Sequence, residues 1–328
     1  MPRYLVTGAT GFLGGEIVKQ LIGRGHQVIA LVRTAEKAAL LKALGVTIHV
    51  ADISDRESLR QPMIGVDGVF HTAGWYRIGV KHSREIAERV NVEGTRNVFE
   101  IARQLQIPRV VYISTVGVFG DTRGQMVDET YYARGPFLTE YDRSKWIAHY
   151  EVAVPMMNQG LPLVVVMPGL IYGPGDTSAV HRTLADLLRN RLFITPKGAT
   201  FAWGYIEDIA RGVRQAMDSG SLGESYILTG PVHTFQEAFA LAARLAGRRQ
   251  PRLHPPPTLM KVAASVASVV ERWDFQFPYA AEALRLMAGT TWIASPAKAQ
   301  QALGFTARPL EEGLRHTVEH ELRQLGMA

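Results

Sequence analysis

Short runs rich in β-branched residues alternate with helical patterns through the first half of the chain, and this rhythm limits the possible folds more than any other feature. Because parallel strands are buried on both faces, they read as nearly continuous apolar segments separated by helices. The pattern predicts an α/β fold with a doubly wound parallel sheet. The six predicted strands are "RYLVT", "HQVIALV", "VTIHVAD", "DGVFHTAG", "RVVYIST" and "LPLVVVMP".

The rhythm changes after Pro168, and from about Thr234 the chain is mostly helical. A strand signal at "SYILTG", preceded by "WGYIEDIARG", predicts that residues from about 203 to 230 return to the main sheet. We therefore expect a first domain over residues 1–168 and a smaller, mostly helical C-terminal substrate lobe over residues 169–328. The helical stretches of the lobe are "TFQEAFALAARLAG", "PTLMKVAASVASVVERW", "AAEALRLMAG" and "LEEGLRHTVEHELRQLG".

The composition limits the location and the chemistry of the protein. The chain has 328 residues, 47% of them hydrophobic, and no cysteine. It can therefore build a large core without disulfides, and it lacks thiolate metal ligands and thiol nucleophiles. We predict no metal site. The absence of cysteine is typical of a reducing compartment. With neither an export signal nor an apolar stretch of about 18 residues, we expect a cytoplasmic protein with no membrane partner.

Basic residues outnumber acidic residues by 36 to 30, but they are scattered, apart from the short stretch "GRRQPRLHPPP". Nucleic-acid binding needs clustered charge together with a recognition motif, and the sequence has neither, so no nucleic-acid partner is expected. A modestly basic surface favours an anionic small molecule, such as a phosphorylated cofactor.

The stretch "TGATGFLGG" follows the first predicted strand and places Gly8, Gly11 and Gly14 at three-residue spacing before a helical run. Glycines permit a tight turn and close approach of the backbone, and the helix N-terminus offers free N–H groups to a pyrophosphate. Three glycines are also compatible with a simple turn. Their position between a strand and a helix at the start of the chain indicates a dinucleotide-binding Rossmann domain.

The end of the second strand indicates which dinucleotide is bound. An acidic residue there would accept hydrogen bonds from a free ribose, whereas an arginine accommodates a 2′-phosphate. The strand "HQVIALVRT" ends in Arg33 without an acid, which favours NADP, with NAD as the alternative. Arg33 is also compatible with an ordinary surface arginine. Asp52, in "ADISD" after the third strand, is a weaker candidate for holding the adenine.

Tyr141 and Lys145 in "TEYDRSKWIAHY" are four residues apart, which places their side chains on one face of a helix, about 5–6 Å apart at Cβ. Ser114 and Thr115 follow the fifth strand, at the sheet edge where such folds bind ligands. A phenol, an ammonium and a hydroxyl form a proton-transfer set, and with the glycine loop they indicate hydride chemistry. An isolated Tyr-x-x-x-Lys also occurs by chance on solvated helices.

These motifs together resemble the extended short-chain dehydrogenase/reductase family. The resemblance covers essentially the whole chain, to "SPAKAQQALGFTARPLEEGL" near its end. It extends to dihydroflavonol reductases and 3β-hydroxysteroid dehydrogenases within that family. The motifs, in the order in which the family has them, are "TGATGFLG", "ADISD", "HTAG", "NVEGTRNV", "STVGVFGD", Tyr141-x-x-x-Lys145, "PGLIYGPGD" and "YIEDIA".

The resemblance implies a role for each matching residue. Tyr141 would be the general acid/base, and Lys145 would lower the pKa of the phenol and hold the nicotinamide ribose. Asn91 would support the site, and Thr115 would hydrogen-bond the reacting oxygen. The family usually has serine at that position, so Ser114 is an alternative. The predicted cofactor-binding residues are Gly8, Thr10, Gly11, Phe12, Leu13, Gly14, Arg33, Asp52, Ile53, Thr72, Ala73, Gly74, Tyr141, Lys145, Pro168, Gly169 and Leu170.

The remaining candidates are pocket residues. Trp75, Tyr76 and Arg77 follow the fourth strand and are candidates for lining a substrate pocket, as is Tyr172, although aromatic loops also serve packing. His71 lies in "FHTAGW", which resembles the family's motif at the end of the fourth strand, where small residues let the cofactor pass. A buried histidine with a packing role is nearly as compatible with this position.

The sequence therefore predicts an NADP(H)-dependent oxidoreductase that interconverts a carbonyl and an alcohol on a small, fairly apolar substrate. The alternative is an NAD-dependent epimerase or dehydratase of nucleotide sugars, with no net redox change. A third hypothesis is a non-catalytic NADP-sensing protein, which the intact Tyr141 and Lys145 disfavour. The family resemblance also implies a homodimer in which the helices that carry Asn91 and Tyr141 pack against their partners.

Overall fold

The computed structural model of the protein describes residues 1–77, 83–272 and 280–327. All six predicted strands are present in one sheet of seven parallel strands, which confirms the predicted fold class. The strands are β1 (Arg3–Thr7), β2 (Gln27–Val32), β3 (Thr47–Val50), β4 (Gly68–His71), β5 (Val110–Ile113), β6 (Leu163–Pro168) and β9 (Ser225–Leu228).

The strand order of this sheet is β3-β2-β1-β4-β5-β6-β9, so the chain reverses direction across the sheet after β3. The reversal leaves a crevice at the carboxyl ends of β1 and β4, and open α/β sheets bind their ligands at such a switch point. The glycine loop after β1 and the residues after β4 and β5 all meet at this edge.

Alternate residues of each strand enter two separate hydrophobic cores. In β1, Leu5 packs into the core on one face, while Tyr4 and Val6 pack into the core on the other. Since neighbouring side chains of a strand point to opposite faces, both faces of the sheet must be covered. This double burial is the physical reason for the continuous apolar runs in the sequence.

Helices cover both faces of the main sheet. Two long helices on one side contain π-helical turns, at Glu88–Glu93 between α4 and α5 and at Ala148–Ala153 between α6 and α7, which often mark functional sites. The helices of the first half are α1 (Phe12–Gly23), α2 (Ala39–Ala43), α3 (Arg60–Met63), α4 (Ser83–Ala87), α5 (Gly94–Gln104), α6 (Glu140–Ile147) and α7 (Val154–Asn158).

The second half also contains a small sheet, which the sequence did not predict; three of its four strands are only two or three residues long. Strands β7 (Leu170–Tyr172), β10 (Val232–Thr234) and β11 (Thr291–Trp292) each pair with β8 (Thr200–Tyr205). The helices of this half are α8 (Ala179–Leu188), α9 (Ile206–Ser219), α10 (Phe235–Leu245), α11 (Pro257–Arg272), α12 (Ala281–Leu286), α13 (Ala297–Leu303) and α14 (Leu310–Gln324).

Part of the second half packs on the first. Helix α9 contacts α1, and β9 pairs with β6 at the edge of the main sheet, where "SYILTG" was expected. Strand β8, which includes Trp203, lies instead in the small sheet. The division into two domains near residue 168 stays a prediction.

The predicted end of the α11 helix at Trp273 lies outside the described residues. Within the described ranges, no helix is both long and apolar enough to cross a bilayer.

Candidate active site

The loop between β1 and α1 is a tight turn with an open helix N-terminus. Gly8 has a φ of 68°, a conformation that glycine adopts without strain, and its carbonyl oxygen accepts from the Gly11 N–H at 2.9 Å. A Cβ at Gly14 would collide with the same carbonyl oxygen. Gly11 caps α1 without a side-chain hydrogen bond, so the first N–H groups of the helix can receive a phosphate. Thr10 is exposed, and Phe12 and Leu13 are half-buried.

Hydrogen bonds join this loop to the end of β4. Thr72 Oγ1 donates to the Thr7 carbonyl oxygen at 2.6 Å, and the Ala73 N–H donates to Thr7 Oγ1 at 3.2 Å. His71 is fully buried, and both ring nitrogens lie within 3.0 Å of threonine hydroxyls. Burial and the charge of Lys145 lower the pKa of His71 to about 3. The neutral, fully paired ring therefore has a packing role.

Arg33 and Asp52 follow the neighbouring strands β2 and β3. The Arg33 side chain is exposed, and Asp52 accepts hydrogen bonds from the Ser54 N–H and hydroxyl at 2.9 and 2.7 Å. Burial acts to raise the pKa of Asp52, but the Ser54 hydrogen bonds and the charges of Arg33 and Arg89 bring it below its usual value. Ile53 is buried. An exposed guanidinium is thus present at the edge where the adenosine end of a dinucleotide is expected.

Tyr141 lies in the first turn of α6, opposite the residues that follow β5. The helix begins after Thr139, whose Oγ1 accepts from the Asp142 N–H at 3.0 Å. The Thr115 side chain lies close enough to the Tyr141 phenol to act to lower the pKa of the phenol. Since Thr115 Oγ1 also accepts from the Gly117 N–H at 3.1 Å, its own proton remains available for donation. The structure therefore brings together the two hydroxyls that the sequence singled out.

The pKa of Tyr141 is raised, in contrast to the expectation that Lys145 lowers it. Burial is the main cause, and the charge of Asp142 adds to it, while the neighbouring Thr115 side chain acts in the opposite direction. At neutral pH the phenol is therefore protonated. It is suited to donating a proton, and a neighbouring cation would be needed for it to act as a base.

Lys145 is buried beneath the site and forms hydrogen bonds with β5. Its Nζ donates to Tyr112 Oη at 3.0 Å and to the Ile113 carbonyl oxygen at 2.7 Å. Burial lowers the pKa of Lys145 to about 7. These contacts explain why the effect on the Tyr141 pKa differs from the expectation: the four-residue spacing places both side chains on one helix face, but the ammonium is held by the sheet.

Sequence reasoning missed Tyr112, which is fully buried. Its ring centroid lies 4.5 Å from Lys145 Nζ and 5.6 Å from the stacked ring of His71. Burial raises the pKa of Tyr112, so the phenol stays neutral and can accept from the ammonium. A tyrosine two residues before Ser114 on a predicted central strand was the available signal, because its polar group needs a buried partner.

Asn91 is buried in the π-helical turn between α4 and α5 and connects two parts of the site. Its Oδ1 accepts from the Trp75 N–H at 2.7 Å, and its Nδ2 donates to the Trp75 carbonyl oxygen at 2.9 Å and to Ser144 Oγ at 2.8 Å. Asn91 therefore fixes the backbone after β4 against α6. It acts as a positioning residue, and Ser144 was missed by the sequence reasoning.

The alternative hydroxyl, Ser114, is engaged elsewhere. Its Oγ lies 2.8 Å from Nδ1 of the buried His149. Burial, together with the charge of Lys145, lowers the pKa of His149 to about 3, so this ring is neutral. Of the two neighbouring hydroxyls, Thr115 is the one that contacts Tyr141.

The segment from Pro168 to Leu170 passes from the main sheet into the small sheet. Pro168 ends β6, and the Gly169 N–H donates to the Leu228 carbonyl oxygen at 3.2 Å. A Cβ at Gly169 would collide with the Ala202 carbonyl oxygen, so the two backbones approach closely here.

The predicted pocket residues separate into two groups. Gly74, Tyr76 and Arg77 are exposed, and Trp75 is half-buried. Tyr76 Oη lies 3.2 Å from Thr177 Oγ1, which links this loop to the segment before α8. Tyr76 also acts to raise the pKa of Tyr141. In contrast, Tyr172 is 2% exposed, and its ring packs edge-on against Trp203 and Tyr205. Tyr172 also lines a small cavity between α8 and α14, and its contact with a substrate stays a prediction.

A match to a protein family shows the family of this chain. Residues 4–228 match the sequence pattern of the NAD dependent epimerase/dehydratase family. The chain belongs to this family. The match covers the glycine loop, Asn91, Thr115, Tyr141 and Lys145, and it confirms the resemblance to extended short-chain dehydrogenases/reductases.

Several proteins that are similar to this chain are named as reductases. The chain is 30% identical to a 4-hydroxy-2-methyl-3-oxo-4-farnesyl-3,4-dihydroquinoline-1-oxide ketoreductase of Stigmatella aurantiaca, over 99% of this chain and 97% of that protein. It is 35% identical to sterol demethylase protein B of Methylococcus capsulatus, over 83% of each chain. A putative dihydroflavonol 4-reductase of Synechocystis sp. is 33% identical over 76% of this chain and 74% of its own.

Solved structures are similar to this chain over the whole fold. The protein gox2253 has a TM-score of 0.85 at 27% identity, with 100% of this chain and 99% of that chain covered. A UDP-glucose 4-epimerase of Thermus thermophilus, solved in complex with NAD, has a TM-score of 0.76 at 25% identity, with 97% and 98% covered. The proteins that are similar to this chain therefore include some named as reductases and some named as epimerases.

Proposed function

We propose that the protein is an NADP(H)-dependent oxidoreductase that interconverts a carbonyl and an alcohol on a small, fairly apolar substrate. The observation that carries the proposal is the placement of the Thr115 side chain beside the Tyr141 phenol, at the edge of the sheet where the glycine loop opens. The close turn at Gly8 and Gly14 and the free N–H groups of α1 fit a dinucleotide pyrophosphate. The relatives named as reductases support the same direction of chemistry.

The cofactor, when bound, supplies a hydride to the substrate carbonyl carbon. Tyr141 donates its proton to the carbonyl oxygen during reduction and takes one from the alcohol in the reverse direction. The raised pKa of Tyr141 keeps the proton in place until the oxygen gains negative charge. Thr115 donates a hydrogen bond to the same oxygen. Lys145 provides positive charge below the site, and Asn91 holds the Trp75 backbone against α6.

The preference for NADP over NAD rests on Arg33. Its exposed guanidinium can pair with a 2′-phosphate, and a hydrogen bond between charged groups contributes about 1.5–3 kcal/mol. We expect Arg33→Ala to weaken NADPH binding about 10- to 100-fold and to leave NADH binding nearly unchanged. Fluorescence titration with each reduced cofactor measures both affinities. Arg24→Ala, at an exposed arginine beyond the end of α1, is the matched control. Equal loss for both cofactors would remove Arg33 from this role.

A second candidate is an NAD-dependent epimerase or dehydratase acting on a nucleotide sugar, because the matching family and the Thermus thermophilus enzyme carry epimerase names. The two functions differ in net redox change. Incubation with NADPH and an apolar ketone should consume the reduced nicotinamide absorbance if the reductase proposal is correct. Conversion of a UDP-sugar in the presence of NAD, without net absorbance change, would support the epimerase. Cofactor binding without either reaction would support the sensing protein.

A homodimer through the helices that carry Asn91 and Tyr141, and a cytoplasmic location, stay predictions. Light scattering of the purified chain measures its mass in solution. A monomer at micromolar concentration would remove the predicted helix-to-helix contact between copies.

A further inference from the structure

Helix α11 presents apolar side chains to solvent. Four of its residues are 50–60% exposed and recur at spacings of three, four and three, so they form one stripe on the helix. The opposite face is also apolar and packs into a small core through Met260, Ala264 and Ala267. A surface helix normally has a polar outer face, and a contiguous exposed apolar patch marks an interaction site. The stripe consists of Leu259, Val262, Val266 and Val269.

A second exposed apolar group adjoins the start of this helix. Phe193, Ile194 and Leu253 are 48–67% exposed. Their segments are paired: Ile194 forms a bridge with Leu253, and the Leu253 N–H donates to the Phe193 carbonyl oxygen at 3.1 Å. The pairing continues to Pro255, two residues before α11 begins. These three side chains and the α11 stripe together form what we name the α11 surface.

The segments that carry the α11 surface are strongly basic. Residues 187–197 and 248–270 contain no aspartate or glutamate, and the acidic residues that border these ranges are Asp186 and, near the end of α11, Glu271. None of their arginines and lysines forms an ion pair with a carboxylate in the described part of the chain, and all but the half-buried Arg248 are exposed. The cations are Arg189, Arg191, Lys197, Arg248, Arg249, Arg252 and Lys261.

We propose that the α11 surface docks on an anionic lipid bilayer. Exposed apolar side chains on segments that also carry exposed cations match the two components of such a surface, because the apolar side chains enter the headgroup boundary while the cations pair with phosphates. Helix α11 lies on the bilayer without crossing it. The proposal replaces the expectation of no membrane partner, which rested on the lack of a spanning segment.

The charge disfavours the other occupants. In a symmetric contact with a second copy, the same patch meets itself, so the unpaired cations of both chains would repel each other. A nucleic acid would pair with the cations but would leave the valine stripe in water. An anionic bilayer satisfies both components. The α11 surface lies outside the residues assigned to the cofactor and to proton transfer, so docking does not depend on the reaction.

Co-sedimentation of the full chain with vesicles tests the proposal. We expect binding to vesicles of phosphatidylcholine and phosphatidylglycerol, weakening with added salt, and little binding to phosphatidylcholine alone. Each cation near an anionic surface contributes about fivefold, so Arg249→Gln with Arg252→Gln should lower the partition coefficient roughly 30-fold. Val262→Asp with Val266→Asp should lower it at least tenfold, on the order expected for losing apolar contact and adding negative charge.

Leu222→Asp is the matched control, because Leu222 is 49% exposed and lies outside the α11 surface. It should bind vesicles as the unchanged protein does, and thermal unfolding verifies that each variant is folded. Absence of binding to the anionic vesicles would overturn the proposal. Equal binding by the valine variant would also overturn it, by showing adhesion through charge alone. A concentration-dependent dimer that the valine variant abolishes, without vesicle binding, would identify a second copy as the occupant instead.

Discussion

Replacing Tyr141 with phenylalanine is expected to lower kcat/KM for ketone reduction by about 10³-fold, within the range typical of losing a general acid. The phenol that contacts Thr115 is the group that donates the proton, and phenylalanine keeps the ring without the hydroxyl. The affinity for NADPH should change little. Steady-state NADPH oxidation gives the kinetic loss, and fluorescence titration gives the cofactor affinity of the same preparation.

Tyr150→Phe is the matched control for this substitution. Tyr150 lies on the same continuous helix and is half-buried, but its hydroxyl donates to the Tyr131 carbonyl oxygen at 3.5 Å, away from Thr115. This variant should keep turnover within about threefold, since a long hydrogen bond contributes little. Undiminished turnover in Tyr141→Phe would remove Tyr141 from its assigned role, and equal losses in both variants would point to a general effect of changing the helix.

Replacing Gly14 with alanine is expected to destabilise the protein and to prevent cofactor binding. A Cβ at this position would collide with the Gly8 carbonyl oxygen and would lie 2.7 Å from Thr72 Oγ1. A backbone carbonyl cannot rotate aside as a flexible side chain can, so the glycine turn itself must shift. Overpacking of this kind costs about 1–3 kcal/mol. The turn that receives the pyrophosphate is then distorted.

The neighbouring glycine provides a control with the opposite sign. A Cβ at Gly15 would lie 3.5 Å from the Ala9 carbonyl oxygen, an ordinary contact. Because alanine is favoured over glycine within a helix by about 1 kcal/mol, Gly15→Ala should stabilise the protein modestly and retain cofactor binding. Denaturant unfolding of both variants measures the difference. Equal free energies of unfolding for the two variants would contradict the close approach of α1 to the Gly8 carbonyl.

The fold of the first half was predictable because the burial of strands and helices leaves a regular pattern in the sequence. Successive residues at the centre of β1 enter different cores, so Tyr4, Leu5 and Val6 are all apolar. The positions of Thr115 and Tyr141 were predictable for the same reason, since the carboxyl ends of parallel strands meet at one edge. The small sheet was not, because strands as short as β11 (Thr291–Trp292) have too few residues to show a period.

The contacts within the site depend on tertiary packing that sequence spacing does not contain. The spacing of Tyr141 and Lys145 shows that the two side chains share a helix face, but not that Nζ lies within hydrogen-bonding distance of Tyr112 on β5. The raised pKa of Tyr141 has the same origin, because burial depends on neighbours distant in sequence. Likewise, Tyr172 lies within the motif "PGLIYGPGD", but the motif does not show that its ring packs against Trp203 and Tyr205.

Arg33 is intermediate between these cases. Its place at the end of β2 follows from the strand pattern, while the charge balance around it includes Asp52 from β3, which a single strand does not show. The acidic neighbour lies where the sequence expected an adenine contact, and it is already hydrogen-bonded to Ser54. Because the charge of Arg33 already acts on Asp52, the cofactor preference is tested by measuring binding directly.

Transfer of deuterium from NADPH labelled at its transferable position is the most direct test of the proposed reaction. After incubation with an apolar ketone, mass spectrometry should find one deuterium on the carbinol carbon of the alcohol produced by the unchanged protein, and about 10³-fold less product with Tyr141→Phe. A deuterated alcohol formed equally well by Tyr141→Phe, or no labelled product from any carbonyl substrate despite tight NADPH binding, would contradict proton donation by Tyr141 next to a bound nicotinamide.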